Sequence, residues 1–137
     1  MAMKKRLVKP KSKFKIGTYQ LGYRWVDVYA DPGEGRGAHF ETMPDGMGHA
    51  RITVGMNYSS SCKPWGNLTH EALEFTLSEI RGRFVYSDVF DDRATDTVVF
   101  HFDHNQLNEV AARVGWFTQK CLRDFDKAYR RCHRKQA

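Results

Sequence analysis

Apolar and polar residues alternate along the early part of the sequence with the two-residue period of a half-buried β-strand. The segment 14–21 follows this alternation, and the segment 23–30 is rich in aromatic and β-branched residues. Both segments predict strands, with Gly22 as a tight turn or a bulge between them. Two further strands are predicted at 38–43 and 49–56, joined by an Asp-Gly turn of the kind that closes hairpins.

The apolar period changes to 3.6 residues in two later segments, which predicts helices. The first helix is expected over residues 68–81, with Asn67 as its N-cap. The second is expected over about 104–134, where Asp103 is placed to cap the helix. Gln106, three residues further on, would complete a capping box.

Short strands are expected between the helices, at 83–86 and 97–102. The order of elements predicts an α+β fold: an antiparallel sheet with one central motif-bearing helix and a long C-terminal helix. Residues 14–137 are expected to form a single α+β domain, which is large enough for a hydrophobic core. Residues 1–13 are basic and poor in apolar side chains, and we expect them to be a flexible arm.

The composition indicates a globular protein with its own hydrophobic core and argues against a membrane-spanning or secreted one. Hydrophobic residues make up 41% of the 137 residues and aromatic residues 13%, enough for a core without added cross-links. No run reaches the roughly 18 apolar residues of a membrane span, and no secretory signal follows the basic N-terminus. The cysteines Cys62, Cys121 and Cys132 form no CxxC pair, which favours a reducing compartment such as the cytoplasm.

Charge is distributed unevenly, which is more informative than the formal net charge of +6. Residues 1–15 carry seven Lys and Arg and no acid, and residues 120–137 carry seven against two acids. Residues 16–119 carry eight bases and fourteen acids. An acidic middle suits a cation site. Basic ends suit contact with nucleic acid or an acidic partner, or they are solubilising tails.

The predicted first helix carries the motif with the most chemical content, His70-Glu71-Ala72-Leu73-Glu74, which reads as H-E-x-x-E. His70 and Glu74 are four residues apart and therefore lie one turn apart on the same helix face. Two side chains at that spacing are able to bind one metal ion. Glu71 lies about 100° around the helix from His70.

This motif resembles H-E-x-x-H of the zincin metallopeptidases, with Glu in place of the second His. The resemblance implies a site for zinc or another divalent metal, with His70, Glu74 and His104 as ligands. It also implies that Glu71 is the general base, in a metal-dependent hydrolase of the peptidase type with a protein or peptide substrate. The order of elements over residues 38–134 also resembles a minimal zincin core.

The third ligand is the least determined part of this site. Zinc needs three or four N, O or S ligands, and His104 is favoured because it opens the second helix. His101, Asp103 and Glu109 compete with it. Two interpretations without metal also account for the motif, namely a solvent-exposed helix face or a buried ionic network.

The size and the mix of helix and strand also resemble small phage-encoded proteins, which raises a function without catalysis. Such a protein would bind a host macromolecule, either protein or nucleic acid, and inhibit or adapt it in the host cytoplasm. Cations and stacked rings hold single-stranded nucleic acid, so the basic ends and the early aromatics fit this function. The same aromatics also fit core packing; they are Tyr19, Tyr23, Trp25 and Tyr29.

Overall fold

The computed structural model describes residues 9–42, 49–81, 83–85 and 98–134. Along these residues the strands and helices follow one another in the order ββββαββα. The elements are β1 (Phe14–Leu21), β2 (Arg24–Asp31), β3 (Ala38–Glu41), β4 (Ala50–Gly55), α1 (Cys62–Glu79), β5 (Arg83–Val85), β6 (Val98–Phe100) and α2 (His104–Cys132). This confirms the predicted α+β fold, with a central motif-bearing helix and a long C-terminal helix.

The first four strands form one sheet in the order β1-β2-β4-β3. β1 and β2 pair antiparallel around Gly22, whose φ of 63° is readily adopted by glycine. β3 and β4 also pair antiparallel, and the turn predicted between them falls at residues 43–48, outside the described residues. β2 and β4 pair in parallel, so the sheet is mixed, whereas we expected it to be wholly antiparallel.

The parallel pairing arises because the loop 32–37 crosses the end of β4 and delivers β3 to its far side. The Gly55 amide donates to the Gly37 carbonyl over 2.9 Å where the loop crosses. A Cβ atom at Gly55 would lie 2.5 Å from the carbonyl oxygen of Glu34, so the crossing requires a glycine there. β4 is thereby inserted between two strands that precede it in sequence, which alternation patterns do not predict.

Both helices cover the same face of the sheet and share one core with it. α2 packs along β1, whereas α1 packs on β3 and β4. Three edge-to-face ring contacts join the layers and the helices, at centroid distances of 6.3 Å for Tyr19–Phe117, 5.8 Å for Phe40–Phe75 and 5.3 Å for Trp65–Phe125. Such pairs add to the stabilisation from the apolar area that they bury.

The start of α1 was predicted wrongly. The helix begins at Cys62 rather than at residue 68, and its N-cap is Ser61 rather than Asn67. Pro64 is typical of a loop, but here it lies in the first turn. The first backbone N–H groups of a helix have no partner within it, so a proline costs no hydrogen bond there.

The start of α2 was predicted correctly. The Asp103 side chain accepts a hydrogen bond from the backbone N–H of Gln106 over 2.8 Å. The Gln106 side chain accepts one from the backbone N–H of Asp103 over 2.9 Å, which completes the predicted capping box. Cys121 and Cys132 lie on the buried face of α2. Neither α1 nor α2, the helices of the described residues, is long and apolar enough to span a membrane.

The predicted arm is described only in part. Residues 9–13 lead into β1 without forming helix or strand, and residues 1–8 lie outside the described residues. The flexibility of the arm therefore stays a prediction. β5 and β6, which pair antiparallel, correspond to the short strands predicted between the helices.

Candidate functional site

The H-E-x-x-E motif lies in the middle of α1, and its three ionisable side chains differ in exposure. His70 Nε2 lies 3.4 Å from Glu74 Oε1, with 65% of the His70 side chain exposed and 19% of that of Glu74. Glu71 is only 9% exposed. The motif is therefore not a plain solvent-exposed face, because both carboxylates are largely buried and only His70 is open to solvent.

The predicted third ligand, His104, is the first residue of α2 and is exposed. Among the described residues, no group of three or more His, Cys, Asp or Glu side chains is arranged to hold a metal ion. The structure thus brings His70 and Glu74 together without adding His104 to them. A zincin-type site needs three protein ligands, so this pair does not fit one, and the metal site stays a prediction.

The residues that competed with His104 have other roles or no partner at this site. Asp103 caps α2, and Glu109 forms an ion pair with Arg113 one turn further along the helix. His101 is exposed in the segment that leads into α2. None of the three joins the pair on α1.

The sheet face opposite the helices carries a polar cluster centred on Asp27. Its Oδ1 atom lies 2.5 Å from Thr18 Oγ1, 3.0 Å from Lys15 Nζ and 3.1 Å from His49 Nδ1. Burial alone would raise the pKa of Asp27, but these hydrogen bonds and the charge of Lys15 lower it to about 2. Asp27 is therefore ionised at neutral pH and offsets the positive charge of Lys15.

The two basic regions of the sequence meet on one side of the molecule. The Arg131 guanidinium, near the end of α2, lies 4.4 Å from the centre of the Phe14 ring at the start of β1. Burial raises the pKa of the Cys132 thiol, and the nearby positive charges of Arg131 and Lys9 oppose that rise. Because Lys9 is close enough to act on Cys132, it lies near the same end of α2. We define the basic surface as Lys9, Lys11, Lys127 and Arg131 together with Phe14.

Two open grooves lie within the basic surface. The first, of about 210 Å³, is lined by Phe14, Lys127 and Arg131 among others. The second, of about 330 Å³, lies where Lys9 and Lys11 approach the loop that follows β2. None of the four cations of the basic surface forms an ion pair with a described residue, so their charges are available to an anionic ligand.

A buried tyrosine holds β1 against α2 beside the basic surface. The Tyr19 hydroxyl donates to Asp124 Oδ2 over 2.7 Å. Burial, and then the hydrogen bond and the charge of Asp124, raise the pKa of Tyr19 above its usual range. The phenol therefore stays protonated as a donor, and this contact sets the position of α2 on the first strand.

The four aromatics Tyr19, Tyr23, Trp25 and Tyr29, which lie in β1, in β2 and in the turn between them, divide between core packing and surface exposure. Tyr19 is buried in the core, whereas Tyr23 and Trp25 are 87% and 53% exposed. Tyr29 is partly buried, with the Arg51 guanidinium 4.8 Å from its ring centre. A turn position next to Gly22 is the sequence signal that Tyr23 would be exposed.

Both basic regions are visible in the sequence, but their proximity in the fold is not. Lys127 and Arg131 are four residues apart, so a shared helix face was visible in the sequence. The contact of Arg131 with Phe14 joins two parts of the described chain that are far apart in sequence, and it has no local signal.

Comparisons with known proteins return no match. A scan against protein-family models finds none, and searches of curated proteins and of solved structures also find none.

Proposed function

We propose that the protein binds nucleic acid through the basic surface, as a binding protein rather than a catalyst. The observation that carries this proposal is the contact between Arg131 and Phe14, because it joins two basic regions that are far apart in sequence. Cations without ion pairs on one surface are the usual contacts for a phosphate backbone. The apolar ring among them adds a flat surface on which a base or sugar can pack.

The number of cations sets the salt dependence that such binding should show. Neutralising about four phosphates gives a slope of log K against log salt of roughly −2.8 for single strands and −3.6 for duplex. Between about 50 and 200 mM salt the affinity should then fall roughly 50- to 150-fold. A protein partner held by apolar contacts would show a much weaker dependence.

A direct test is fluorescence anisotropy with labelled single-stranded and duplex oligonucleotides over that range of salt. Lys127→Gln removes one exposed cation and should lower the slope by about one. Arg81→Gln is a matched control, because Arg81 is an exposed cation far from the basic surface. Its neighbour Ile80 lies next to Gln106, whose Nε2 donates to the Ile80 carbonyl over 3.4 Å. Gln106 lies roughly 30 Å along α2 from Lys127.

The outcome against the proposal is equally defined. If neither oligonucleotide binds at about 50 mM salt, the basic surface does not bind nucleic acid and a protein partner becomes the better alternative. Equal effects of Lys127→Gln and Arg81→Gln would mean that any binding depends on net charge and not on this surface.

The metal-dependent hydrolase stays a second proposal, supported by the His70–Glu74 pair alone. Elemental analysis of protein purified without chelators tests it. If metal is bound, Ala at His70, Glu74 or His104 should remove it and lower the melting temperature, whereas Glu71→Gln should keep metal and lose hydrolysis. A protein that contains no metal and takes up neither zinc nor manganese would rule this proposal out.

A further inference from the structure

Four of the six Lys and Arg residues of α2 lie in one stripe that extends the basic surface along the helix, and Arg134 continues it two residues beyond the helix end. At 100° per residue, six side chains fall within a sector of about 80°. All six are exposed. They form the α2 stripe: Trp116, Lys120, Arg123, Lys127, Arg131 and Arg134.

The cations of the stripe differ from Arg130 of the same helix in that they form no ion pair with a described residue. Arg130, on the other flank, forms an ion pair with Asp126 at 3.1 Å. The five cations of the stripe have no such ion pair with a described residue. Asp124 lies at the edge of the stripe, where it accepts a hydrogen bond from Tyr19 and keeps its negative charge. The stripe is therefore a positive track with one acid at its edge.

Exposed aromatic rings lie at the far end of the track from Arg134. Trp116 is 52% exposed, with Lys120 Nζ 4.3 Å from its ring centre. Tyr23 is 87% exposed, and its ring lies 4.9 Å from the Arg113 guanidinium, one turn before Trp116. Large rings that are open to solvent beside cations offer faces on which bases can stack.

We infer that the α2 stripe binds single-stranded nucleic acid, with Trp116 and Tyr23 as the base-stacking residues; this inference rests on the proposed function. In a duplex the base faces are stacked on one another and are closed to these rings, whereas in a single strand they are free. The rings thus add a preference for single strands that the cations alone do not give.

The length of the track sets the length of the strand. From Arg113, which contacts Tyr23, to Cys132 at its end the helix rises about 29 Å, and Arg134 lies two residues beyond. This is the axial length of about eight to nine stacked nucleotides at 3.4 Å each. A shorter oligonucleotide, of about five nucleotides, should not reach both the rings and the carboxy-terminal cations.

The test compares Trp116→Leu with Trp25→Leu in the otherwise unchanged chain. The two tryptophans are 52% and 53% exposed, but Trp25 lies on the opposite sheet face from the helices. With a labelled strand of about nine nucleotides, Trp116→Leu should weaken binding roughly 5- to 150-fold, the contribution of one stacked base. The salt slope and the affinity for duplex should not change, and Trp25→Leu should match the wild type.

A second measurement does not depend on the Trp116 variant. In the Trp25→Leu protein the remaining tryptophans are Trp116 and the partly buried Trp65, and addition of the single strand should quench the part of the fluorescence that comes from Trp116, because a stacked base contacts its ring. Steep salt dependence with equal binding of single strand and duplex, and no effect of Trp116→Leu, would overturn this inference and leave the proposed function standing. No binding of either form at about 50 mM salt would overturn both.

Discussion

Replacing Tyr19 by Phe removes one hydroxyl from the contact between β1 and α2. In the wild type this hydroxyl donates to Asp124 Oδ2 over 2.7 Å, while the Tyr19 ring packs edge to face on Phe117 at 6.3 Å. Phe keeps the ring and its packing. The substitution therefore isolates the hydrogen bond to a carboxylate that solvent can still reach.

The expected loss follows from that geometry. A hydrogen bond to an ionised group contributes about 1.5–3 kcal/mol when its partner would otherwise be left buried. Asp124 is exposed and regains water, so we expect Tyr19→Phe to lower the free energy of unfolding by about 1 kcal/mol. For a chain of this length, that is a fall of roughly 4 °C in melting temperature.

The pH dependence gives a second signature of the same contact. Burial and the Asp124 hydrogen bond raise the pKa of Tyr19 above its ordinary value of 10.0. Above pH 10 the unfolded chain releases this proton and the folded chain keeps it. The wild type therefore loses up to about 1.4 kcal/mol per pH unit there through Tyr19, and the variant does not. The stability curves of the two proteins should converge above pH 10.

Urea unfolding at pH 7 and at steps above pH 10, followed by circular dichroism, measures both effects. A double-mutant cycle with Asp124→Asn should give a coupling free energy of about 1 kcal/mol. If the two substitutions are additive, or if the gap between wild type and Tyr19→Phe stays constant up to pH 11, the hydroxyl does not hold β1 to α2 in the way described.

Three further predictions concern stability elsewhere in the fold. Because the pKa of Asp27 is lowered to about 2 from the ordinary 3.8, its contribution to stability is present above pH 4 and is lost as the pH falls towards 2. Asp27→Asn should therefore be less stable than wild type at pH 7, and the difference should shrink in acid titrations. Gly22→Ala should cost about 1 kcal/mol in urea unfolding, since φ is 63° and the new Cβ would lie 2.9 Å from the Arg113 side chain. Removing residues 1–13 should leave the melting temperature within a few degrees, and calorimetry that showed a larger fall would mean that the segment packs on the domain.

The parts of the fold that the sequence predicted are those with local causes. The apolar period and the capping box of Asp103 act within a few residues, so the start of α2 was predicted correctly. The start of α1 was missed because Pro64 disfavours helix everywhere except in a first turn. The parallel pairing of β2 and β4 depends on a loop that crosses the sheet, and a strand pattern carries no information about that crossing.

In the candidate sites, too, features with local causes were predicted and features that depend on distant packing were not. The i,i+4 pair of His70 and Glu74 follows from helix geometry and is present, whereas the position of His104 relative to that pair depends on how two helices pack. The basic regions were visible as composition, and the meeting of Phe14 with Arg131 was not. The cation period along α2 was nevertheless available in the sequence, because it follows the same 3.6-residue repeat as the apolar face.

The contact between the first strand and the last helix also makes the basic surface a late product of synthesis. A growing chain exposes β1 and β2 first, but a domain generally folds as a unit. The basic surface is therefore incomplete until Lys127 and Arg131 have been synthesised and can pack beside Lys9 and Lys11. A chain cleaved inside α2 would lose the cations of that helix end together with core residues such as Phe125 and Cys132. Binding by the basic surface would thus distinguish intact chains from such fragments.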